Sequence, residues 1–177
     1  MSMTTIEEQL AEARGRIDRL RACEQAGVTA ERARIRRHLD VLRQEEASVH
    51  DAVSQAPDEV DEKLGRLKSR VAVAEHSLAA DLSDDWATFA ASVDAELRIW
   101  DAYLERLQTS VAEKAWRARE EAELAIGEVR NLRITVGERL AAARDSDVTA
   151  SREARKHIMA ARDELEQKAA ELSTKFN

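Results

Sequence analysis

Apolar residues recur along this chain at intervals of three and four, the spacing that lines one face of an α-helix. Ile6, Leu10, Ala13, Ile17 and Leu20 alternate steps of four and three, a heptad seam suited to one facing partner. The pattern stops at Ala26-Gly27-Val28-Thr29, where glycine suits the left-handed position past a helix end and Thr29 suits the cap of the next helix. The rival reading is one continuous helix with a skip in the heptad, since Leu20 and Val28 stand eight residues apart. A second helix carries Ile35, Leu39, Leu42, Val49 and Val53. It ends before Pro57, the single proline, because proline disfavours helical conformation in the residue preceding it. Pro57 can itself open a third helix, with Asp58 and Glu59 opposing the positive end of the dipole and Val60, Leu64, Leu67, Val71, Ala74 and Leu78 on the apolar face.

Ser83-Asp84-Asp85 reads as a cap followed by two first-turn acids. From Trp86 a seam then runs through Phe89, Val93, Leu97, Trp100, Leu104, Leu107, Val111, Ala115, Ala118, Ala122, Val129, Val136 and Leu140. Its steps lie nearer an eleven-residue period than strict sevens, which predicts a nearly straight helix. Unbroken over 84–143, that helix would hold about 60 residues and span on the order of 90 Å at ~1.5 Å per residue. Gly127 and Gly137 would weaken it locally, each by about 1 kcal/mol relative to alanine. Asp145-Ser146-Asp147 offers a last cap, and Ile158, Leu165, Leu172 and Phe176 share one side of a final helix over about 147–176. A faint echo joins Leu78-Ala79-Ala80 before Ser83-Asp84 to Leu140-Ala141-Ala142 before Ser146-Asp147, as two helical hairpins on one plan would produce.

These elements predict an all-α fold: an antiparallel, coiled-coil-like bundle of long amphipathic helices with a protruding helical hairpin. Residues 1–110 would form the bundle, from helices at about 4–26, 29–55, 58–81 and 84–110, since short turns favour antiparallel neighbours. Residues 111–177 would form the hairpin, from the remainder of the long helix and the last helix folding back.

Composition agrees with narrow helix seams. Aromatic residues are 3% and charged residues 36% of the 177, against roughly 25% charged in an average soluble domain. The formal charge is −7, concentrated at 57–101, where eleven acids face five bases. The one basic run, Arg32, Arg34, Arg36 and Arg37, is flanked by Glu31 and Asp40 and reads as a solvated helix face. A nucleic-acid binder would show a larger basic face, so that partner is disfavoured. Cys23 is alone, which excludes an intrachain disulfide, and no leader-like or membrane-spanning stretch stands out. A cytoplasmic protein is the expectation.

Catalytic and metal-binding patterns are absent from the motifs. None of the four histidines completes the Glu-x-x-His of a di-iron bundle, because positions 35, 47, 73 and 154 hold Ile, Ala, Val and Ala. Glu46 with His50 and Glu153 with His157 lie four apart, the spacing of surface ion pairs on a helix. No nucleophile elbow or glycine-rich phosphate loop occurs. No enzymatic activity, cofactor or metal is therefore expected. The interface candidates are Trp116, Leu124 and Ile134: Trp116 and Ile134 share a direction over 100° from the seam and Leu124 lies farther round. Large apolar residues exposed on a projecting arm suit self-association or a protein partner, unless the last helix wraps over them.

The stretch Trp86-Ala87-Thr88-Phe89, Val93-Asp94-Ala95-Glu96-Leu97, Trp100-Asp101-Ala102-Tyr103-Leu104 and Leu107, with the run from Arg139-Leu140 through Ala160-Ala161-Arg162-Asp163-Glu164-Leu165, resembles small bacterial coiled-coil stress-response proteins. The resemblance covers roughly residues 80–175 and rests on heptads with a few tryptophans. It implies a helical hairpin and a link to stress, and it supplies no catalytic residues. The family's second turn is followed by tryptophan, whereas Val148 stands here.

The resulting expectation is a non-enzymatic helical protein that works by self-association, as an elongated dimer, or by binding a protein partner. The alternative is a peripheral, lipid-associating stress protein, disfavoured because the apolar faces are dominated by alanine, valine and leucine and the polar faces mix both signs. A metal carrier or enzyme ranks last.

Overall fold

Pro57 breaks the chain as its chemistry requires. Ala56 leaves the helical region at φ −142° and ψ 70°, and Pro57–Glu59 form a single 3-10 turn before the next α-helix starts at Val60. Glu59 N–H closes that turn on Ala56 C=O at 2.9 Å. The helix that follows has Asp61 and Glu62 in its own first turn, so the acids that face its dipole are these rather than Asp58 and Glu59 alone.

The computed structural model describes residues 3–26, 29–112, 116–144 and 148–176. Among them are six α-helices and no strand: α1 (Met3–Ala26), α2 (Thr29–Gln55), α3 (Val60–Leu82), α4 (Trp86–Ala112), α5 (Trp116–Ala143) and α6 (Val148–Phe176). The fold is all-α, as the periodicity predicts. Asp85 caps α4: its carbonyl accepts the Phe89 N–H at 3.2 Å, and its carboxylate accepts the Thr88 N–H at 2.8 Å. Hydrogen bonds from the Thr88 side chain and from its backbone N–H hold the exposed Asp85 carboxyl below its ordinary pKa. The cap therefore lies two residues beyond Ser83, whose hydroxyl instead accepts from Arg155 at 3.4 Å. The Thr29 side chain and residues 145–147, where the other two caps are expected, lie outside the described residues.

The chain divides into two compact units, Met1–Leu82 and Ser83–Phe176. In the first, α1 and α2 run antiparallel, with Arg14 meeting Glu46 at 2.5 Å and Arg36 meeting Glu24 at 2.9 Å. α2 and α3 are also antiparallel: Arg34 pairs with Asp81 at 2.5 Å and Arg66 approaches Glu45 at 4.0 Å. α1 and α3 are consequently parallel, and Lys68 reaches Gln9 while Arg16 reaches Glu75. The predicted seams close this unit, since Ile6, Leu10, Ala13, Ile17 and Leu20 pack with Ile35, Leu39, Leu42, Leu64, Leu67 and Val71 in one buried cluster.

The second unit repeats the arrangement and corrects two expectations. α4 and α5 are antiparallel neighbours, with Gln108 facing Arg130 at 2.9 Å, Asp101 facing Arg133 at 2.5 Å and Asp94 facing Arg144 at 3.6 Å. A single rod over 84–143 is thereby ruled out, because its two halves could not lie side by side. Nor is 116–143 a free arm: α6 packs along it, Lys168 approaching Glu128 at 3.6 Å and Arg139 donating to the His157 carbonyl at 2.9 Å. α4 accordingly groups with α5 and α6 rather than closing a four-helix bundle over 1–110. The echo also fails as a repeat, since Leu78 ends the third helix of one unit and Leu140 ends the second helix of the other.

α4 and α6 run parallel and share a buried polar core. Arg162 Nε and Nη2 donate to Glu96 Oε2 at 3.0 and 2.7 Å, and Trp100 Nε1 donates to Glu96 Oε1 at 3.3 Å. Tyr103 and Ser173 share a hydroxyl–hydroxyl bond of 2.9 Å, and the Arg155 guanidinium sits 4.6 Å above the Phe89 ring. Both charges of the Glu96–Arg162 pair are only 1% exposed, so removing one strands the other in a dry interior. Arg162→Met should cost about 3–5 kcal/mol in urea unfolding, and adding Glu96→Leu should recover part of that loss. In α1, Gly15 is exposed and a Cβ there would meet nothing within 4 Å, so Gly15→Ala should raise stability by about 1 kcal/mol in the same assay.

Candidate functional site

The interface candidates fall on α5, whose buried seam is Ala122, Ile126, Val129, Val136, Leu140 and Ala143. Those residues face α4 and α6 and leave the opposite side of α5 to solvent. Leu124 is 67% and Ile134 44% exposed there, so α6 does not wrap over them. They stand about 80° apart around the helix and about 15 Å apart along it, on the two shoulders of the outer face. Trp116 opens α5, but its side chain lies outside the described residues.

Beside Ile134 the groove between α4 and α5 widens into a cleft of about 350 Å³. Its cause is local composition: Gly137 and Ala141 present almost no side chain, and Leu97 of α4 forms the floor. Arg133 and Arg144 border the cleft, held toward α4 by Asp101 and Asp94. The Nε of Arg133 is buried without a hydrogen-bond partner.

The first unit holds a second recess, about 260 Å³, between α1 and α3. Leu20, Cys23, Leu78 and Leu82 make it apolar, and Leu82 is 54% exposed. At its mouth Arg16 grips Glu75 with two parallel bonds, Nε to Oε1 at 3.0 Å and Nη2 to Oε2 at 2.5 Å. This fork holds the Glu75 carboxyl below its ordinary value, against the opposing effect of burial, and raises Arg16.

The other sequence candidates resolve into ion pairs. Arg14 bridges the Glu46–His50 pair, bonding both side chains. Glu153 is shared by Lys156 at 3.1 Å and His157 at 3.6 Å. Of the basic run, Arg34 turns inward to Asp81, Arg36 reaches Glu24 on α1 and Arg32 donates to the Gln25 carbonyl. Those arginines leave α2 in different directions and do not form one basic face. Among the described residues, no three His, Cys, Asp or Glu side chains gather as a metal-binding group.

Sequence reading missed a set of buried polar residues: His38, Glu45 and Ser48 on α2, and Arg66, Arg70 and Ser77 on α3. Steps of three and four through His38, Val41, Glu45 and Ser48 were the available signal, hidden because three of the four are polar. Comparison of the chain with protein-family models, with curated proteins and with solved structures finds no match.

Because folding lowers the pKa of Glu75, its pairing with Arg16 adds stability that is fully present above the ordinary glutamate value of 4.5 and is lost as pH falls through the depressed folded value. The partial exposure of both groups keeps the effect small. Urea unfolding followed from neutral to acid pH should show Arg16→Gln less stable than the parent at neutral pH, with the difference shrinking as Glu75 protonates. A constant difference would assign the loss to packing instead.

Proposed function

We propose that this chain is a non-enzymatic binding protein that works through an exposed helix face, by self-association or by taking a protein partner. The observation that carries this reading is the outer side of α5, where two large aliphatic side chains, Leu124 and Ile134, stand in solvent, Ile134 at the rim of an open cleft. Exposed single aliphatics are common, but here one of the two borders a recess, on a helix whose other sides are already packed. The ionisable groups support the same reading. Outside the buried sets around Glu45, Arg66 and Arg70 and around Glu96, Arg162 and Glu166, most of them form ion pairs along helix surfaces.

Association with a bilayer surface is the lesser reading. No described helix is long and apolar enough to cross a membrane, and the outer face of α5 sets Glu120, Glu123 and Glu138 beside its aliphatic residues. Acids at those positions oppose anionic headgroups. A link to stress rests only on the resemblance over roughly residues 80–175, carried by Trp86–Leu107 and Arg139–Leu165.

A photoreactive amino acid placed at position 124 tests the proposal in the cells that make the protein. Protein adducts, to another copy or to a partner, should form at position 124 and be absent when the probe sits at the exposed position 164 of α6. Equal labelling at both positions would overturn the reading.

A further inference from the structure

The polar groups that bridge α1 and α3 recur every seven residues, and the series changes chemistry at its third step. Gln9 accepts from Lys68 at 2.9 Å, and seven residues further along both helices Arg16 forks onto Glu75. Another seven residues bring Cys23 level with Leu82. A heptad position that twice holds a hydrogen-bonded pair therefore holds a thiol and an aliphatic side chain the third time. Both line the recess of about 260 Å³, together with Leu20, Leu78 and Ala79. Ala79 stands level with Leu20, and its short side chain leaves the groove unfilled there. Leu82 is 54% exposed and Cys23 is half-buried, so the apolar lining is open to solvent.

The charged border of this recess departs from the balance of the chain. Arg16, Arg19 and Glu75 line it and sum to +1, in a protein of formal charge −7. Glu75 is engaged by Arg16 through two parallel bonds. Arg19 joins no ion pair among the described residues. The positions three and four residues from it on α1 hold Gly15, Arg16, Ala22 and Cys23, so its own helix offers it no acid on that face. The nearby Asp18 pairs with Arg21 instead, at 2.7 Å. An exposed guanidinium is content in water and by itself calls for no partner. Beside an aliphatic groove, it selects a molecule that carries an apolar chain behind an anionic head.

We propose that this recess binds a small amphipathic anion, a free medium-chain carboxylate, with its head on Arg19 and its chain over Leu20, Cys23, Leu78 and Leu82. The planar guanidinium matches a carboxylate with two parallel hydrogen bonds. The chain covers Leu82 and removes the apolar lining from water, which supplies most of the attraction. The recess is smaller than the roughly 300–1,000 Å³ of sites for drug-sized ligands, so a single short chain fits and a nucleotide or sterol does not. A bilayer would need a broad basic and apolar face, whereas this groove is one side chain wide. The site lies in the first unit and does not depend on the role proposed for α5.

Cys23 is the single thiol of the chain, so its alkylation reports on the recess in the intact protein. Decanoate, kept below its micelle concentration, should slow the reaction of Cys23 with iodoacetamide at least fivefold and saturably. Unfolding by a surfactant would speed that reaction instead. Octanoate, two methylenes shorter, should need roughly tenfold higher concentration for the same protection. Decanol should protect at least tenfold more weakly, and the decyltrimethylammonium cation not at all. Arg19→Ala should bring decanoate down to the level of decanol and leave decanol unchanged. Leu82→Gln should weaken both with helicity unaltered, since that side chain is exposed. Calorimetric titration of the parent and Arg19→Ala with decanoate repeats the contrast without using the thiol. No saturable binding of decanoate up to about 1 mM by either readout overturns the proposal. So does equal protection by decanoate and decanol with Arg19→Ala inert, which leaves an unselective apolar groove. Protection by phosphatidylglycerol vesicles but not by free decanoate also overturns it, in favour of a bilayer surface.

Discussion

Each helix here carries an apolar stripe too narrow to bury itself and too rich in alanine to be buried well by one neighbour. Ala13, Ala52, Ala74, Ala122, Ala143, Ala161 and Ala169 all lie in the buried set. Small residues bring helix axes close but remove little area each, so stability at about 25 cal/mol per Å² depends on giving each stripe two partners. Three helices running up, down and up achieve this with the least chain. The turn at Pro57, the cap at Asp85 and the reversal between α4 and α5 all serve that constraint.

Charge then selects among the packings that alanine seams permit. A seam of small residues slides easily, because one register buries nearly as much as the next. The pairs Arg34–Asp81 and Glu45–Arg66 hold α2 against α3, and Asp94, Asp101 and Gln108 meet Arg144, just past α5, and Arg133 and Arg130 on it at successive levels. Buried pairs such as Glu96–Arg162 add little net stability compared with apolar residues of the same shape, but they penalise every alternative in which one partner is left alone.

The functional reading follows from what this packing leaves over. α5 packs one side within its own unit and leaves Leu124 and Ile134 exposed on the other. The recess near Cys23 is also left over, with the Arg16–Glu75 pair on its border.

Helical character, the break at Pro57 and most buried aliphatic positions were legible directly, because periodicity and proline sterics are local properties of the chain. The exposure of Leu124 and Ile134 was half legible: their angle from the seam could be read, but whether α6 would cover them could not. The reversal between α4 and α5 was hidden, since Val111 and Ala122 stand eleven residues apart and keep one phase across it, with no glycine or proline to mark the turn. Buried His38, Glu45, Arg66 and Arg70 were hidden for a related reason: a charged residue declares nothing about burial until the partner that neutralises it has been brought near. The amino-acid order determined which faces wanted burying. Only the tertiary structure decided which helix would cover which face, because that choice depends on contacts between residues far apart in the chain.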